Sequence, residues 1–340
     1  MPPTSIDGVD ITGATIDGTE VTEITADGQV VFSASGFDPN ATELVLGNYS
    51  RGVTLQRIDK DNNLIAEYDG SEDATSIDIG PNGNNVFWRS DGDDGIYKSD
   101  LSTLTIQTSN TSNTVHALRT HPNGDIYTMA ESGDINRFDT DLNLVDSGNI
   151  TLNPDSDKYI NPCIGPNDNF LVPGDAKVKA VDPSTLSVNQ TMTLDGTDSR
   201  LGVETFADGN IYISADDDGE LYQYDSNYNR LNKNTNVSSS DRVGSMFMFP
   251  NDLSTMWYSV GSETYIIDPS NLSITNTNTT TNSNPHDGWG IQDLFFTGGF
   301  NGNDNLYRYD KNLNLTEFST QRTQQTVSIC STYARHNIRG

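Results

Sequence analysis

The residues best suited to chemistry in this 340-residue chain are two of its four histidines and their neighbours. His116 lies in a strand-like stretch, and His286 is followed by Asp287 and then by Trp289. An imidazole beside a carboxylate can exchange protons at neutral pH, and an aromatic ring can hold a sugar. No nucleophile, paired general acid and base, or closed metal site accompanies them at a suitable spacing. We therefore predict that these four residues bind a ligand, although a lone strand histidine is more often a hydrogen-bonded core residue.

Two acidic clusters, at residues 91–95 and 216–219, offer a second kind of chemistry. Ca²⁺ takes about six to eight oxygen ligands, and each cluster supplies several carboxylates. Neither cluster matches an EF-hand, so no cofactor is predicted and only weak binding of Na⁺, K⁺ or Ca²⁺ is expected. The candidate ligands are Asp91, Asp93, Asp216 and Asp218. The favoured alternative is that both clusters are solvated turns of an acidic surface.

The charge of the whole chain explains why acidic loops are common. The sequence has 48 acidic and 19 basic residues, a formal net charge of -29, and acids spread along its length. Such a chain either binds cations or basic partners, or is adapted to molar salt, where a Debye length of about 3 Å screens self-repulsion. The even spread of acids and the scarcity of lysine favour adaptation to salt. The same charge excludes nucleic acid as an expected partner.

Seven copies of one short phrase determine the predicted architecture. Each copy has an apolar residue, three strand-like residues and an aspartate, as in LYQYD. The aspartates are Asp59, Asp100, Asp139, Asp182, Asp225, Asp268 and Asp310, at intervals of 41, 39, 43, 43, 43 and 42 residues. Four strands of about six residues with loops of about four give a unit of roughly 40 residues, which is a propeller blade. The sequence therefore predicts an all-β, seven-bladed β-propeller.

The seven aspartates could also be catalytic or metal-binding acids, but a role in turns is favoured. A short turn follows each of them, of the type seen at residues 182–186 or 310–314. An aspartate at the first turn position accepts hydrogen bonds from backbone N–H groups two residues on, and a following proline presets φ. We predict seven hairpin turns.

The end of the chain is predicted to close the ring. The first unit begins near Ala41 and lacks an innermost strand, whereas residues 326–332 resemble the innermost strand of the third blade, residues 114–120. Pairing the C-terminal strand into blade 1 would remove the open edge of the ring. Cys163 and Cys330 then lie on inner strands of distant blades, too far apart for a disulfide, which needs Cα atoms within about 7 Å.

The three tryptophans divide into two groups. Trp88 and Trp257 fall on second strands, where neighbouring blades pack, and are predicted to be core residues. Trp289 is expected to be more exposed, near the channel mouth, where its ring could contact a sugar.

Residues 1–36 do not fit the repeat and are assigned to a small N-terminal β appendage, with the propeller at residues 37–340. Asp-Gly pairs at Asp7, Asp17 and Asp27 separate alternating strand-like segments, which is a strong hairpin signal. Three short strands are marginal alone. The appendage is expected to dock on the propeller, on another copy of the chain or on a larger assembly.

The appendage segment ITGATIDGTEVTEITADGQVVF resembles the N-terminal module of structural proteins from tailed viruses of haloarchaea. The propeller lacks the WD40 signature and looks like lyase-like or quinoprotein-like propellers. The resemblance implies a virion structural protein of turret, spike or tail-fibre type, on the virion surface and used for host attachment. The implied partners are copies of the chain joined through residues 1–36, a capsid or tail protein of the virion, and a host surface glycan or glycoprotein.

Two other functions stay open on the sequence. A halophilic propeller lyase or hydrolase would use His116, His286 and Asp287 at the channel mouth. A cell-surface binding module of the host would need a route of export. The opening residues lack a signal peptide, and no run of 18 apolar residues predicts a membrane span. These absences favour a virion protein, which assembles inside the cell.

Asparagine, serine and threonine are common enough to form several Asn-X-Ser/Thr sequons. They occur at Asn40, Asn48, Asn110, Asn149, Asn189, Asn236, Asn271, Asn278 and Asn314. Solvated polar edges are the favoured interpretation, and glycan-covered edges are the alternative.

Overall fold

Alternating apolar residues turn each repeat into four antiparallel strands, and seven such sheets form an all-β, seven-bladed β-propeller in the computed structural model. The structure describes residues 15–16, 19–20, 23–26, 29–33, 43–49, 53–70, 72–80, 83–130, 132–151, 162–174, 176–196, 201–215, 218–239, 244–249, 252–279, 285–291, 294–299, 306–318 and 325–331. The helical content of this part is a three-residue 3-10 turn, Pro166–Asp168. No helix in these ranges has the length and apolarity needed to cross a bilayer.

Four short strands precede the blades, namely β1 (Thr15–Ile16), β2 (Thr19–Glu20), β3 (Glu23–Ala26) and β4 (Gln29–Ser33). Blade 1 contains β5 (Glu43–Tyr49), β6 (Leu55–Asp59) and β7 (Leu64–Tyr68). Blade 2 contains β8 (Ala74–Ile79), β9 (Asn85–Ser90), β10 (Ile96–Asp100) and β11 (Ile106–Asn110). Blade 3 contains β12 (Ala117–Thr120), β13 (Ile126–Met129), β14 (Asp134–Phe138) and β15 (Leu144–Asn149).

Blade 4 contains β16 (Cys163–Ile164), β17 (Phe170–Gly174), β18 (Lys177–Val181) and β19 (Val188–Thr193). Blade 5 contains β20 (Leu201–Thr205), β21 (Ile211–Ala215), β22 (Glu220–Tyr224) and β23 (Arg230–Asn234). Blade 6 contains β24 (Ser245–Phe249), β25 (Asp252–Val260), β26 (Glu263–Asp268) and β27 (Ser273–Thr279). Blade 7 contains β28 (Pro285–Ile291), β29 (Leu294–Gly299), β30 (Leu306–Asp310) and β31 (Leu315–Phe318), and β32 (Gln325–Ser331) follows it.

The position of a strand within its blade determines its burial. In blade 2 every residue of the inner strand β8 and of β9 is buried, because both faces of these strands pack against other blades. The outer strand β11 alternates between half-buried and exposed residues. The core therefore lies between blades, as where Tyr127 of blade 3 packs with Phe170 of blade 4. Trp88 and Trp257 are buried on second strands, as predicted.

The last strand closes the ring, as predicted. β32 pairs antiparallel with β5, with Ile329 opposite Leu46, and becomes the inner strand of blade 1. This pairing leaves no open inner edge where the chain ends meet. The buried thiol of Cys163 lies on β16 in blade 4, and Cys330 lies on β32 in blade 1, so the predicted inner-strand placement of both cysteines is confirmed.

The seven repeated aspartates build the turns from third to outer strands. In each turn the carboxylate accepts the backbone N–H two residues on. Asp310, for example, accepts the backbone N–H of Asn312 at 2.8 Å and of Asn314 at 2.9 Å. Leu313 completes the reversal with a positive φ of 63°. The predicted role of the aspartates in turns is confirmed.

Each aspartate turn also accepts a hydrogen bond from the preceding blade, which sequence reasoning missed. The Tyr127 hydroxyl donates to the Pro183 carbonyl at 2.8 Å, and the Gln223 amide donates to the Pro269 carbonyl at 2.9 Å. The other donor–acceptor pairs are Arg57 to Leu101, Lys98 to Asp141, Asn169 to Tyr228, Asn276 to Asn312 and Arg308 to Lys60. The donors differ in residue type, yet together they link all seven turns into a ring.

The propeller has two distinct faces. The turn face carries the seven aspartate turns and the turns between first and second strands. The connection face carries the turns between second and third strands, such as residues 91–95, and the segments that enter each blade, such as residues 111–116. Glu43 at the start of β5 pairs with Asp59, and Ser331 at the end of β32 pairs with Leu44. The chain therefore enters and leaves the propeller at the turn face.

The appendage contains two short hairpins. β1 pairs with β2 across Asp17 and Gly18, and β3 pairs with β4 across Asp27 and Gly28, which confirms two of the predicted Asp-Gly hairpins. The third, at Asp7, lies outside the described residues. Within the described ranges these four strands form two separate two-stranded sheets, where the sequence suggested three strands around one small core.

Candidate functional site

The connection face carries a polar groove of about 720 Å³ beside blade 3. Its walls are the segment that enters blade 3, the turn after β13, and one side of β14 and β15. The side chains that matter most for its chemistry are Ser112, Asn113, His116, Ser132, Asp134 and Asn136. The groove is lined by hydroxyl, amide and carboxylate groups, and no lysine or arginine is among the described residues that line it.

His116 and Asn136 lie at the floor of this groove, with 6% and 7% of their surfaces exposed. The His116 backbone N–H donates to the Met129 carbonyl at 2.7 Å. The inner strand β12 starts at Ala117, so the prediction that places His116 within the strand is wrong by one residue. Thr128 is opposite Asn136 in the strand pair and therefore points to the same side of the sheet.

One wall of the groove is the segment that enters blade 3, and a buried arginine holds this segment in place. Arg89 is fully buried on β9, and its Nε donates to the Val115 carbonyl at 2.6 Å. Its Nη2 lies 2.9 Å from a carboxylate oxygen of Asp91 and 2.7 Å from one of Asp94. The Val115 N–H in turn donates to the Asp94 carbonyl at 2.9 Å. The planar guanidinium thus ties an acidic turn to the groove wall through several fixed donors.

The neighbouring carboxylate of the same turn is held by a tyrosine. Asp93 accepts the Tyr97 hydroxyl at 2.5 Å and the Gly95 backbone N–H at 3.0 Å. Partial burial acts to raise the pKa of Asp93, but these hydrogen bonds outweigh it and lower the pKa. Tyr97 also stacks on Trp88 at 4.3 Å between ring centroids. The turn is therefore fastened to the blade core.

The structure supports the interpretation that the acidic clusters are turns over the alternative that they are cation sites. Asp91 and Asp93, both candidate ligands, already interact with Arg89 and Tyr97. Asp218 is exposed, and Asp216 lies outside the described residues. In the described ranges no three metal-ligating side chains come together.

One ionised carboxylate gives the groove its charge. Asp134 accepts the Ser132 hydroxyl at 2.6 Å and the Asn149 amide at 2.7 Å. These two hydrogen bonds, from Ser132 first, lower the pKa of Asp134. The carboxylate is consequently negative at neutral pH. The groove presents hydroxyls, amides and this single negative charge.

The second predicted binding stretch is far from the groove. His286, Asp287 and Trp289 lie on β28 in blade 7, and His116 precedes the inner strand of blade 3, three blades away around the ring. The side chains of His286 and Asp287 lie outside the described part. Trp289 is 3% exposed, and its ring packs 5.2 Å from that of Phe247. The expectation that Trp289 is exposed is therefore wrong, because it points between blades 6 and 7.

The turn face has features that sequence reasoning missed. A cavity of about 720 Å³ lies between blades 5 and 6 and is lined in part by Leu231, Asn232 and Leu253. The eight exposed large hydrophobic side chains in the described ranges each occupy the first or second position of a strand that begins at this face. We call them the aliphatic rim: Leu64, Ile65, Leu144, Val145, Val188, Leu231, Leu253 and Leu315. Most of them follow a repeated aspartate by five or six residues. This spacing predicts that they lie at the start of the outer strand, but it does not predict that they are exposed.

The structure also separates the sequons. Asn48 is buried, and the side-chain amides of Asn110 and Asn278 donate to leucine carbonyls in the next blade. Asn110 and Asn278 therefore link neighbouring blades, and Asn48 is not accessible to a glycan. Asn236 is exposed and is a better candidate for a glycan, and glycosylation of the outer edges stays a prediction.

No protein-family model matches the sequence, and no curated protein matches it. Solved structures with the same fold are plentiful. A 6-phosphogluconolactonase-like protein from Bacteroides fragilis aligns with a TM-score of 0.66 and 12% identity, over 86% of this chain and 98% of that chain.

Two further structures align over most of the chain. A catalytically inactive variant of virginiamycin B lyase from Staphylococcus aureus, with quinupristin, has a TM-score of 0.60 and 16% identity, over 74% of this chain and 85% of that chain. BamB from Moraxella catarrhalis has a TM-score of 0.56 and 12% identity, over 86% and 90%. At such low identities these similarities establish the propeller fold alone.

Proposed function

We propose that the chain is a non-enzymatic virion surface protein of a halophilic archaeal virus, and that it attaches the particle to a host surface glycan or glycoprotein. The observation that carries the proposal is the difference between the two faces. The chain enters and leaves the propeller at the turn face, where the aliphatic rim also lies. The polar groove lies on the connection face. A chain anchored at the turn face presents the groove to the outside.

Residues 1–36 are the proposed anchor. A two-stranded hairpin is at best marginally stable alone in water, so these two hairpins need a partner. Copies of the chain associate through this segment and bind a capsid or tail protein, with five copies suited to a capsid vertex and three to a tail fibre. The aliphatic rim places exposed apolar side chains on six of the seven blades at the same face, where a partner could cover them.

The net charge of -29 supports the halophilic setting. At molar salt the Debye length falls to about 3 Å, so carboxylates farther apart than this repel one another little. In dilute buffer the same charges would destabilise the folded state.

The alternative of a lyase or hydrolase would need His116 and His286 to act at one site. The structure assigns them to blades 3 and 7, which lie across the channel from each other. This arrangement favours a binding protein over an enzyme that uses both histidines.

The test compares the full chain with residues 37–340 in about 2 M KCl, where surface charges are screened. Light scattering measures the oligomeric state, and flow cytometry measures binding to host cells. We expect the full chain to form a symmetric oligomer and the truncated chain to be a folded monomer that still binds cells. Asn136→Ala, on the connection face, is the control and should leave the oligomer intact. A monomeric full chain, or an oligomer that survives truncation, would contradict the proposal.

A further inference from the structure

We infer that the groove on the connection face is a binding site for a neutral saccharide. This inference rests on the proposed function and narrows its host glycan to one site and one chemical class.

Two neighbouring polar side chains lie on β13 and β14 beside the groove, and one of them, Asn136, lines it. Thr128 is fully buried, and its Oγ1 makes no hydrogen bond within the described part of the chain. Asn136 lies beside it across the strands, is 7% exposed and lines the groove, so its amide can be reached by a ligand there. Buried polar groups in folded proteins are nearly always hydrogen-bonded. The Asn136 amide offers two donors and an acceptor to the groove, and a hydroxyl-rich ligand can satisfy them.

The groups that line the groove disfavour the binding of anions and of metal ions. Asp134 is negative, and no described lysine or arginine lines the groove, so a phosphate or an acidic sugar would be repelled. A metal ion would find one carboxylate, which already accepts hydrogen bonds from Ser132 and Asn149. The apolar part of the lining comes from two small residues, Ala130 and Gly148. An apolar ligand would therefore bury little apolar surface in the groove. A neutral ligand with many hydroxyls fits this lining of hydroxyl and amide groups.

The groove is already shaped for binding. Arg89 fixes the wall through the Val115 carbonyl, and the Asn110 side-chain oxygen accepts the Ser112 backbone N–H at 3.0 Å and the Asn113 amide at 3.4 Å. A preformed wall reduces the entropy lost on binding. The volume also falls within the usual range of small-ligand sites, about 300–1,000 Å³.

The experiment screens the full chain against immobilised neutral oligosaccharides of hexoses and N-acetylhexosamines, with sialylated and phosphorylated counterparts beside them. The screen is done in about 2 M KCl, and the best neutral binder is titrated by calorimetry. We expect Asn136→Ala and Asn113→Ala each to weaken binding about tenfold, the loss of roughly one hydrogen bond. The matched control is Asn232→Ala in the turn-face cavity of equal volume, which should bind as the unmodified chain does. Urea unfolding checks that each variant is folded.

Neutral saccharide binding that the groove variants weaken and the control does not would support the inference. Three results would overturn it: no binding to neutral saccharides, preference for the acidic counterparts, or equal weakening by Asn232→Ala. If host cells are still bound while neutral saccharides are not, the saccharide inference fails and the proposed function stands. If saccharides bind but the chain neither assembles nor binds cells, the proposed function fails and the groove site stands.

Discussion

The turn face and the connection face are built by one repeat, yet they differ in regularity. On the turn face every blade has its aspartate turn, and each turn accepts a hydrogen bond from the blade before it. On the connection face the groove wall depends on Arg89, which has no counterpart elsewhere. The strand register places Gly47, Met129, Pro173, Ser214, Ser259 and Gly298 at the equivalent positions of the other blades. The repeat thus builds the scaffold, and the candidate site forms where one blade departs from it.

The largest effect is expected from Arg89→Met. This change removes the guanidinium from Asp91 and Asp94 and leaves their carboxylates partly buried beside an apolar side chain. Breaking such a buried pair costs about 3–5 kcal/mol. The free energy of unfolding, measured in urea by tryptophan fluorescence, should fall by about this amount, because Trp88 lies next to Arg89 on the same strand.

Arg137→Met is the matched control for that experiment. Arg137 pairs with Asp125 at 2.8 Å, and its side chain is 25% exposed. This pair is less buried than that of Arg89 with Asp91, where the side chains are 0% and 6% exposed, so its loss should cost less than that of Arg89. Equal losses for the two arginines would remove the special role given to Arg89 on the connection face.

Acid should weaken the turn face through all seven aspartates. Their folded-state pKa values are lowered, as at Asp310, where the Asn314 amide is the first cause, and at Asp182, where it is the Ser184 hydroxyl. The unfolded-state value is about 3.9, so the unfolded chain takes up protons first as the pH falls. The stabilisation is complete above that value and is lost as the pH falls through it and then through the lower folded-state pKa. In about 2 M KCl, where repulsion among the other carboxylates is screened, urea midpoints should therefore decrease from pH 5 to pH 3, and a constant or rising midpoint would contradict this account.

A single aspartate turn should contribute less to the free energy of unfolding than all seven aspartate turns together. Asp310→Ala removes the acceptor of two backbone N–H groups and of the Asn314 amide, and should cost about 1 kcal/mol in a solvent-exposed turn. Asp310→Asn keeps an oxygen acceptor and should cost less, while it removes one carboxylate from the acid response. Urea unfolding of both variants at pH 7 and pH 4 separates the two contributions. The idea fails if alanine and asparagine are equivalent at both pH values.

The sequence predicts the turn face better than the connection face for a physical reason. Evenly spaced aspartates need only local backbone geometry, so they identify the blades without knowledge of packing. The closing strand was predicted separately, because residues 326–332 resemble the inner strand of the third blade. Trp289 was misplaced because it lies on an inner strand, whose two faces both pack against neighbouring blades, and its ring packs against Phe247 of blade 6. The groove combines Asn113 with Asn136 and is held by Arg89, three residues that no repeat relates. Their proximity depends on how blades 2 and 3 pack, which no spacing in the sequence encodes.

The smallest effect on stability, with the clearest effect on assembly, is expected at the aliphatic rim. Leu144 and Val145 are 46% and 48% exposed, so replacing both with serine removes little buried area. The free energy of unfolding should change by about 0.5 kcal/mol or less for each surface substitution. If the turn face is the assembly surface, the double variant should nevertheless dissociate at concentrations where the unmodified chain is oligomeric, as measured by light scattering. Thr114→Ala, an exposed change on the connection face, should alter neither quantity. An oligomer that tolerates the rim variant but not Thr114→Ala would reverse the assignment of the two faces, because the groove side would then be the one buried in the particle.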